Sequence, residues 1–263
     1  MDVNAKSSKV IPFKGGSTQI HFYETVSSTM DIARQKALEH CQDHTIIIAD
    51  HQTAGRGRMQ RNWQSDEGGL YMTWILRPTV DPSFCFGYTF SAALAIIAVL
   101  KQTYTINALV KWPNDVLVNG QKIAGILTET QIENNQLNYL NIGMGININN
   151  ILKSKDFQAI TLQDILQNSV NPTPFIDQLV DELYFRFTHM TPDNILKEWK
   201  ANNCTIGKQV KVVTPKSTIQ GLAIDVDQRG ALLVEKRTGN IKTVLYGDCF
   251  EMNTSKPSCP FVA

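Results

Sequence analysis

At 263 residues the chain has room for one large domain and a small one. Its 43% hydrophobic and 19% charged content is that of an ordinary globular protein, and a net charge of +1 gives no whole-molecule attraction to nucleic acid or an anionic membrane. Five scattered cysteines (Cys41, Cys85, Cys204, Cys249, Cys259) without a Cys-x-x-Cys pair argue against a zinc site or a disulfide framework and favour free thiols in a reducing cytoplasm.

Residues 1–19 are polar and rich in Gly and Ser, and are expected to form a loose tail with no signal-peptide core. Ile20–Glu24 reads as a strand. Ser27-Ser-Thr-Met-Asp31 then starts a helix to about His40, with Ser or Thr as N-cap and Asp31 near the positive end. Ser28 and Thr29 serve there as caps, and a helix N-terminus can at the same time hold a polar or anionic ligand.

Thr45–Asp50 and Gly69–Leu76 read as strands on either side of Gln52-Thr-Ala-Gly-Arg-Gly-Arg-Met-Gln-Arg-Asn-Trp63. Gly55 and Gly57 allow close backbone approach, while Arg56, Arg58 and Arg61 supply planar forks that match carboxylate and phosphate oxygens. Such a loop can wrap an anion. It is neither a dinucleotide fingerprint nor a P-loop, since no third glycine opens a helix and no Gly-Lys-Ser/Thr occurs.

Tyr88 to about Tyr104 is an apolar helix expected under the sheet; its longest apolar run, Ala92–Leu100, is too short to span a bilayer. Trp112-Pro-Asn-Asp115 forms a turn holding an amide and a carboxylate. Asn119-Gly120 then predicts a type I′ hairpin placing Val116–Val118 opposite Lys122–Ala124. Lys122, between apolar neighbours, either reaches solvent at a sheet edge or meets an anion. Leu137–Ile142 is a strand running into Gly143-Met-Gly-Ile-Asn147, where two glycines suggest a tight turn or close approach to a ligand. Helices follow from Pro172 to about Met190 and from Pro192 to about Asn202. Four or five short strands after Gly207 suggest a small barrel.

Gly55-Arg-Gly-Arg with Trp63, Lys111-Trp-Pro-Asn-Asp115 with Lys122-Ile-Ala-Gly125, Gly143-Met-Gly-Ile-Asn147 and Ser28-Thr29 together resemble the biotin protein ligases over about residues 20–252. The resemblance implies an α+β fold, with a mixed β-sheet catalytic domain packed with helices, like class II synthetases (20–204). A small C-terminal SH3-like β-barrel (205–252) and a tail (253–263) would follow. It implies that ATP activates biotin to biotinyl-5′-AMP with Mg2+, and that a lysine of a biotin carboxyl carrier protein then takes the biotin. Arg58 and Lys122 would be catalytic. Ser28, Thr29, Gln52, Gly55, Arg56, Arg58, Lys122, Gly125 and Gly143 would bind biotin. Arg58, Arg61, Trp63, Asn114, Asp115, Lys122 and Asn147 would bind ATP, with Asp115 a metal ligand.

Met30 departs from the Asn common after the Ser-Thr pair. Only a short polar stretch precedes Ile20, so a ligase without the N-terminal DNA-binding domain of some relatives is expected, acting as a monomer or homodimer in the cytoplasm without membrane or DNA partners. A lipoate–protein ligase of the same superfamily, and a non-catalytic biotin sensor, are the alternatives. The Arg loop is expected to order around an anionic ligand, which would offset its ordering entropy.

Overall fold

The computed structural model describes residues 5–13, 16–152 and 159–252, so the tail at 253–263 lies outside the described residues. Eight strands form one sheet: β1 (Ser7–Phe13), β2 (Gly16–Val26), β3 (Ile46–Gln52), β4 (Leu70–Leu76), β5 (Leu109–Lys111), β6 (Asp115–Val118), β7 (Gln121–Glu133) and β8 (Gln136–Ile146). Their order is β1-β2-β3-β4-β8-β7-β6-β5, and β2–β3 is the parallel pair in an otherwise antiparallel ladder.

Alternate residues of β3 face opposite layers, as the two-residue period of a strand requires. Ile46 and Ile48 join the core under α2 (Phe86–Tyr104), α4 (Thr173–His189) and α5 (Pro192–Ala201), whereas Ile47 and Ala49 meet Ala33 and Ala37 of α1 (Thr29–Leu38). The sheet therefore lies between α1 on one face and three helices on the other. A short helix, α3 (Leu162–Leu166), is closed by a capping box between Thr161 and Asp164.

The stretch Pro82–Tyr104 is long and apolar enough to cross a membrane, but here it is the central core helix, with Phe90 through Ile96 buried. Phe90 stacks on Trp199 of α5 at 4.3 Å between centroids. The buried guanidinium of Arg186 joins α4 to α5 through two hydrogen bonds to Glu198 (2.9 and 2.8 Å) and one to Glu182 (2.9 Å). This pairing satisfies a charge that would be costly to bury alone.

The remaining strands, β9 (Gln209–Val213), β10 (Thr218–Val226), β11 (Leu232–Glu235), β12 (Ile241–Val244) and β13 (Asp248–Glu251), form an antiparallel sheet ordered β12-β11-β10-β9-β13. No β12–β13 ladder closes it among the described residues, in contrast to a fully hydrogen-bonded barrel. One buried cluster runs from Ile20 to Cys249, so the two sheets share a hydrophobic core. Trp112 pins them together, its buried Nε1 donating to the Gly230 carbonyl at 3.0 Å.

Three sequence expectations change. Residues 7–13 are an edge strand paired with β2 rather than a loose tail: Ser8 Oγ lies 2.9 Å from His21 Nδ1, and the backbone ladder needs no apolar alternation to form. The Asn119-Gly120 hairpin is present with both residues at positive φ (50° and 79°), but a bulge between Val116 and Leu117 pairs Leu117 with Lys122. Gly143 and Gly145 lie inside β8, not in a turn beyond it, because both edges of that strand are hydrogen-bonded, to β4 and β7.

His44, at the start of β3, accepts a hydrogen bond from Trp74 Nε1 (3.2 Å) at Nδ1 and packs on Tyr184. Burial lowers its pKa below the ordinary imidazole value of 6.5, with Asp43 acting in the opposite direction. The unfolded chain therefore takes up the proton first. This contribution to stability is complete above about pH 6.5 and lost as pH falls through that value toward the lower folded pKa. Melting temperatures at pH 7.5 and 5.5 should show a smaller acid-induced drop for His44→Gln, which keeps an acceptor for Trp74, than for the wild type. His21, also lowered by burial, leaves a residual drop of the same sign. An equal drop in both proteins would remove His44 from the account.

Candidate active site

A cavity of about 670 Å³ opens where α1, the Arg loop, β7 and β8 converge with the β12–β13 connection. It falls in the size range of small-molecule sites. Of the residues singled out in the sequence, Ser28, Thr29, Gln52, Arg56, Arg58, Arg61, Trp63, Asn114, Asp115, Lys122, Gly125, Gly143 and Asn147 line it.

At the α1 end, Ser28 caps the helix by accepting from Met30 N (3.3 Å). The Thr29 N–H and hydroxyl both donate to Gln52 Oε1 (2.8 and 3.1 Å), and Gln52 Nε2 donates to Ser65 Oγ (2.8 Å). Strand β3 and the helix cap are thereby locked together, which holds this polar wall in place before any ligand arrives. Met30 packs onto Gly143, where a Cβ would lie 2.6 Å from its sulfur. In place of the amide expected there, this chain puts an apolar side chain on the cavity wall.

Gly55 does not line the cavity. It packs behind the loop, where a Cβ would stand 2.3 Å from Ser65 Oγ and 2.7 Å from the Trp63 carbonyl. Its N-terminal half of the loop folds back on the other, with Trp63 N–H donating to the Gly55 carbonyl (2.9 Å). The glycine is needed for that close approach rather than for ligand contact.

The three arginines point to different elements. Arg56 is bidentate to Asp31 (3.0 and 2.7 Å). Arg58 donates to Asn114 Oδ1 (3.0 Å) and to the Gly247 carbonyl (3.1 Å). Arg61 pairs with Asp248. The cost of ordering the loop is therefore offset in part by carboxylates and carbonyls of the chain itself, not by an anionic ligand alone. Burial lowers the pKa of the Arg58 guanidinium, with Asp115 raising it and Arg61 adding to the fall; it nevertheless stays charged.

Opposite the loop, Asn114 is fixed by a reciprocal pair with Ile126 of β7: Nδ2 to carbonyl at 2.6 Å, and N–H to the Asn114 carbonyl at 2.9 Å. Lys122 lies 2.6 Å from Asp115 Oδ1 and 5.1 Å above the Trp63 ring. Lys122 lines the cavity, next to the register shift that pairs it with Leu117, rather than standing on a solvent-facing sheet edge. Trp63 occupies the gap left by two glycines: Cβ atoms at Gly145 and Gly125 would fall 2.4 and 2.9 Å from its indole. Asn147 is buried, donating to the Lys122 carbonyl (3.4 Å) and accepting from Asn150 (3.2 Å).

The site also contains Gly145, Leu127, Asn62 and Asp248, which were not assigned from the sequence. The Gly-x-Gly spacing could have flagged Gly145; nothing local marks Asp248, which reaches the loop across most of the chain. Among the described residues no group of three His, Cys, Asp or Glu side chains converges to hold a metal. Asp115 Oδ1 is nevertheless buried at the cavity, ion-paired with the Lys122 ammonium at 2.6 Å. One such oxygen suits Mg2+ held mainly by phosphates and water.

The Biotin/lipoate A/B protein ligase family model matches residues 22–147, and the Biotin protein ligase C terminal domain model matches residues 205–251. The bifunctional ligase/repressor BirA of Bacillus subtilis is 34% identical over 239 residues, covering 86% of this chain and 72% of that protein. The biotin–[acetyl-CoA-carboxylase] ligase of Mycobacterium tuberculosis is 30% identical over 220 residues, or 81% of each. In fold, the chain matches the biotin protein ligase from Aquifex aeolicus in complex with biotin and ATP, with a TM-score of 0.72 at 23% identity over 88% of this chain and 97% of that one. Extended similarity to ligases of this kind, joined to a cavity assembled from the segments that carry the resemblance, places the chain in the biotin protein ligase family.

Proposed function

We propose that this cavity activates biotin with ATP and passes it to a lysine of a carrier domain. The observation that carries the reading is the convergence of Arg58, Lys122, Asn114 and Asp115, from three separate segments, beside the polar wall of Thr29 and Gln52.

Adenylation brings two anions together. A biotin carboxylate oxygen bonds to the α-phosphorus, the bond from that phosphorus to the β-phosphate oxygen breaks, and pyrophosphate leaves with the electron pair. Arg58 and Lys122 are the positive groups that offset the repulsion and the charge building at phosphorus. In the ligand-free geometry Lys122 is held by Asp115 and Trp63; an incoming phosphate or carboxylate competes for its ammonium. Ser28, Thr29 and Gln52 contact the ureido ring, and the backbones of Gly125 and Gly143 line its pocket. Asn114, Asn147 and Arg61 serve the nucleotide, with Trp63 near the base. Asp115 would hold a Mg2+ ion brought in with ATP, and that ion would supply further charge neutralisation.

In the second step the deprotonated lysine amine attacks the carbonyl of the mixed anhydride. The amide forms, AMP leaves, and the amine proton passes to solvent. No nucleophile from this chain is required, and positioning with electrostatics accounts for the catalysis.

Purified protein should catalyse biotin-dependent exchange of labelled pyrophosphate into ATP and then label the acceptor lysine of a biotin carboxyl carrier domain. Exchange supported by lipoate and not by biotin would make it the lipoate ligase instead. Exchange with neither acid would overturn adenylation.

A further inference from the structure

The Arg loop is tethered at two ends. On one side Arg58 and Arg61 reach the β12–β13 connection at Gly247 and Asp248. On the other side Arg56 enters a cluster of four charges contributed by three elements. Its Nη1 and Nη2 lie 3.0 and 2.7 Å from the two Asp31 oxygens on the first turn of α1, and Nη2 is 3.7 Å from Glu129 of β7. Arg34 closes the circuit, 2.6 Å from Glu129 and 3.9 Å from Asp31. Ser27 Oγ donates to the Asp31 oxygen that faces Arg56 Nη1 (3.2 Å).

Each terminal nitrogen of Arg56 gives one of its N–H groups to Asp31, so this guanidinium, whose residue lines the cavity, is already charge-paired within the chain. Asp31, Arg34 and Glu129 do not line the cavity, and adenylation chemistry uses none of them. Their immediate neighbours do: Met30 precedes Asp31, and Leu127 lies two residues before Glu129. The Asp31 side chain is 33% exposed and that of Arg56 24%, so an isolated pair would contribute little; the bidentate geometry and the second ion pair make the cluster different. The Asp31 carboxyl is held below the usual carboxylate range, first by its hydrogen bond from Arg56, so it is charged at every working pH.

We propose that Asp31 and Arg56, backed by Glu129 and Arg34, form a latch that holds the loop closed and sets how long the reactive adenylate is retained. These are positioning residues, acting on the loop rather than on the reacting atoms. The proposal rests on the adenylation reading above.

The test loads the full-length protein with biotin and ATP and follows release of bound adenylate in a chase. Asp31→Asn should release it about tenfold faster than wild type, the order expected for loss of a charge-assisted bidentate pair. Biotin KM and the pyrophosphate exchange rate should change by no more than about threefold, because the catalytic charges stay in place. A defect that merely unravelled the start of α1 would instead raise the KM for biotin through Ser28 and Thr29. Glu129→Gln should show a smaller acceleration of release.

Asp31→Glu, which keeps the carboxylate, must retain adenylate better than Asp31→Asn. Equal release from wild type and Asp31→Asn, or from Asp31→Asn and Asp31→Glu, overturns the latch. Failure of the wild type to form adenylate at all would defeat the functional reading instead.

Discussion

Arg58→Ala is expected to slow biotin-dependent pyrophosphate exchange at least tenfold and to release any adenylate that does form. The guanidinium is largely withdrawn from water and sits between Asn114 Oδ1 and the Gly247 carbonyl, with Asp115 and Arg61 close enough to act on its charge. In such surroundings a charge-assisted hydrogen bond contributes about 1.5–3 kcal/mol, which sets the tenfold floor. Truncation removes the positive charge that the proposed reaction places between carboxylate and phosphate. It also leaves the Gly247 carbonyl without this donor and frees one tether between the loop and the second sheet. Arg58→Lys keeps the charge but not the planar fork and should fall between alanine and wild type. Near-normal exchange and retention in the alanine variant would remove Arg58 from the mechanism.

The second large effect concerns a residue with no side chain. At Gly145 a Cβ would stand 2.4 Å from Trp63 Cε2 and Nε1, and β8 cannot shift away because it is bonded on one edge to β4 and on the other to β7. Gly145→Val must therefore eject the indole. With it goes the ring surface under the Lys122 ammonium, and the space it held in the cavity is refilled by an isopropyl group. Base–aromatic stacking contributes about 1–3 kcal/mol, so loss of the indole surface should weaken ATP affinity roughly fivefold to a hundredfold. The shift should appear as a raised KM for ATP in pyrophosphate exchange, with altered tryptophan fluorescence. Gly57→Ala is the control: its Cβ would meet nothing closer than the Arg61 carbonyl at 3.7 Å. Unchanged ATP kinetics in Gly145→Val would mean that Trp63 does not build the nucleotide half.

Much of this architecture was legible where a local signal and the tertiary outcome agree. Apolar runs at helical spacing located α2, α4 and α5 to within two or three residues. Asn119-Gly120 specified its hairpin because both residues tolerate the left-handed backbone that a type I′ turn requires. Ser28 was legible as a cap, since an orphan N–H at a helix start calls for a side-chain oxygen nearby. The Gly-Arg loop stood out as a candidate anion-binding segment by its chemistry, and its three arginines do line the cavity; with Lys111–Asp115 and Lys122 it indicated the family.

Other features had no local signature. Strand β1 forms through backbone pairing at a sheet edge, and the exposed side chains of its residues 7–10 leave no alternation to read. Gly55 and Gly143 look alike in sequence; one packs behind the loop and the other lines the cavity, a difference decided by which atoms the fold brings against each.

The sequence by itself determined the kinds of groups available: three arginines, a lysine, an amide and a carboxylate on short rigid segments, with glycines where backbones must approach. Only the tertiary structure decided their partners. It placed Arg56 on Asp31, Arg58 on Gly247 and Arg61 on Asp248, leaving Lys122 beside Asp115 within reach of the cavity. Charge and planarity are properties of a side chain, but the partner of a long flexible cation is set by distances between elements far apart in the chain, which no local pattern encodes.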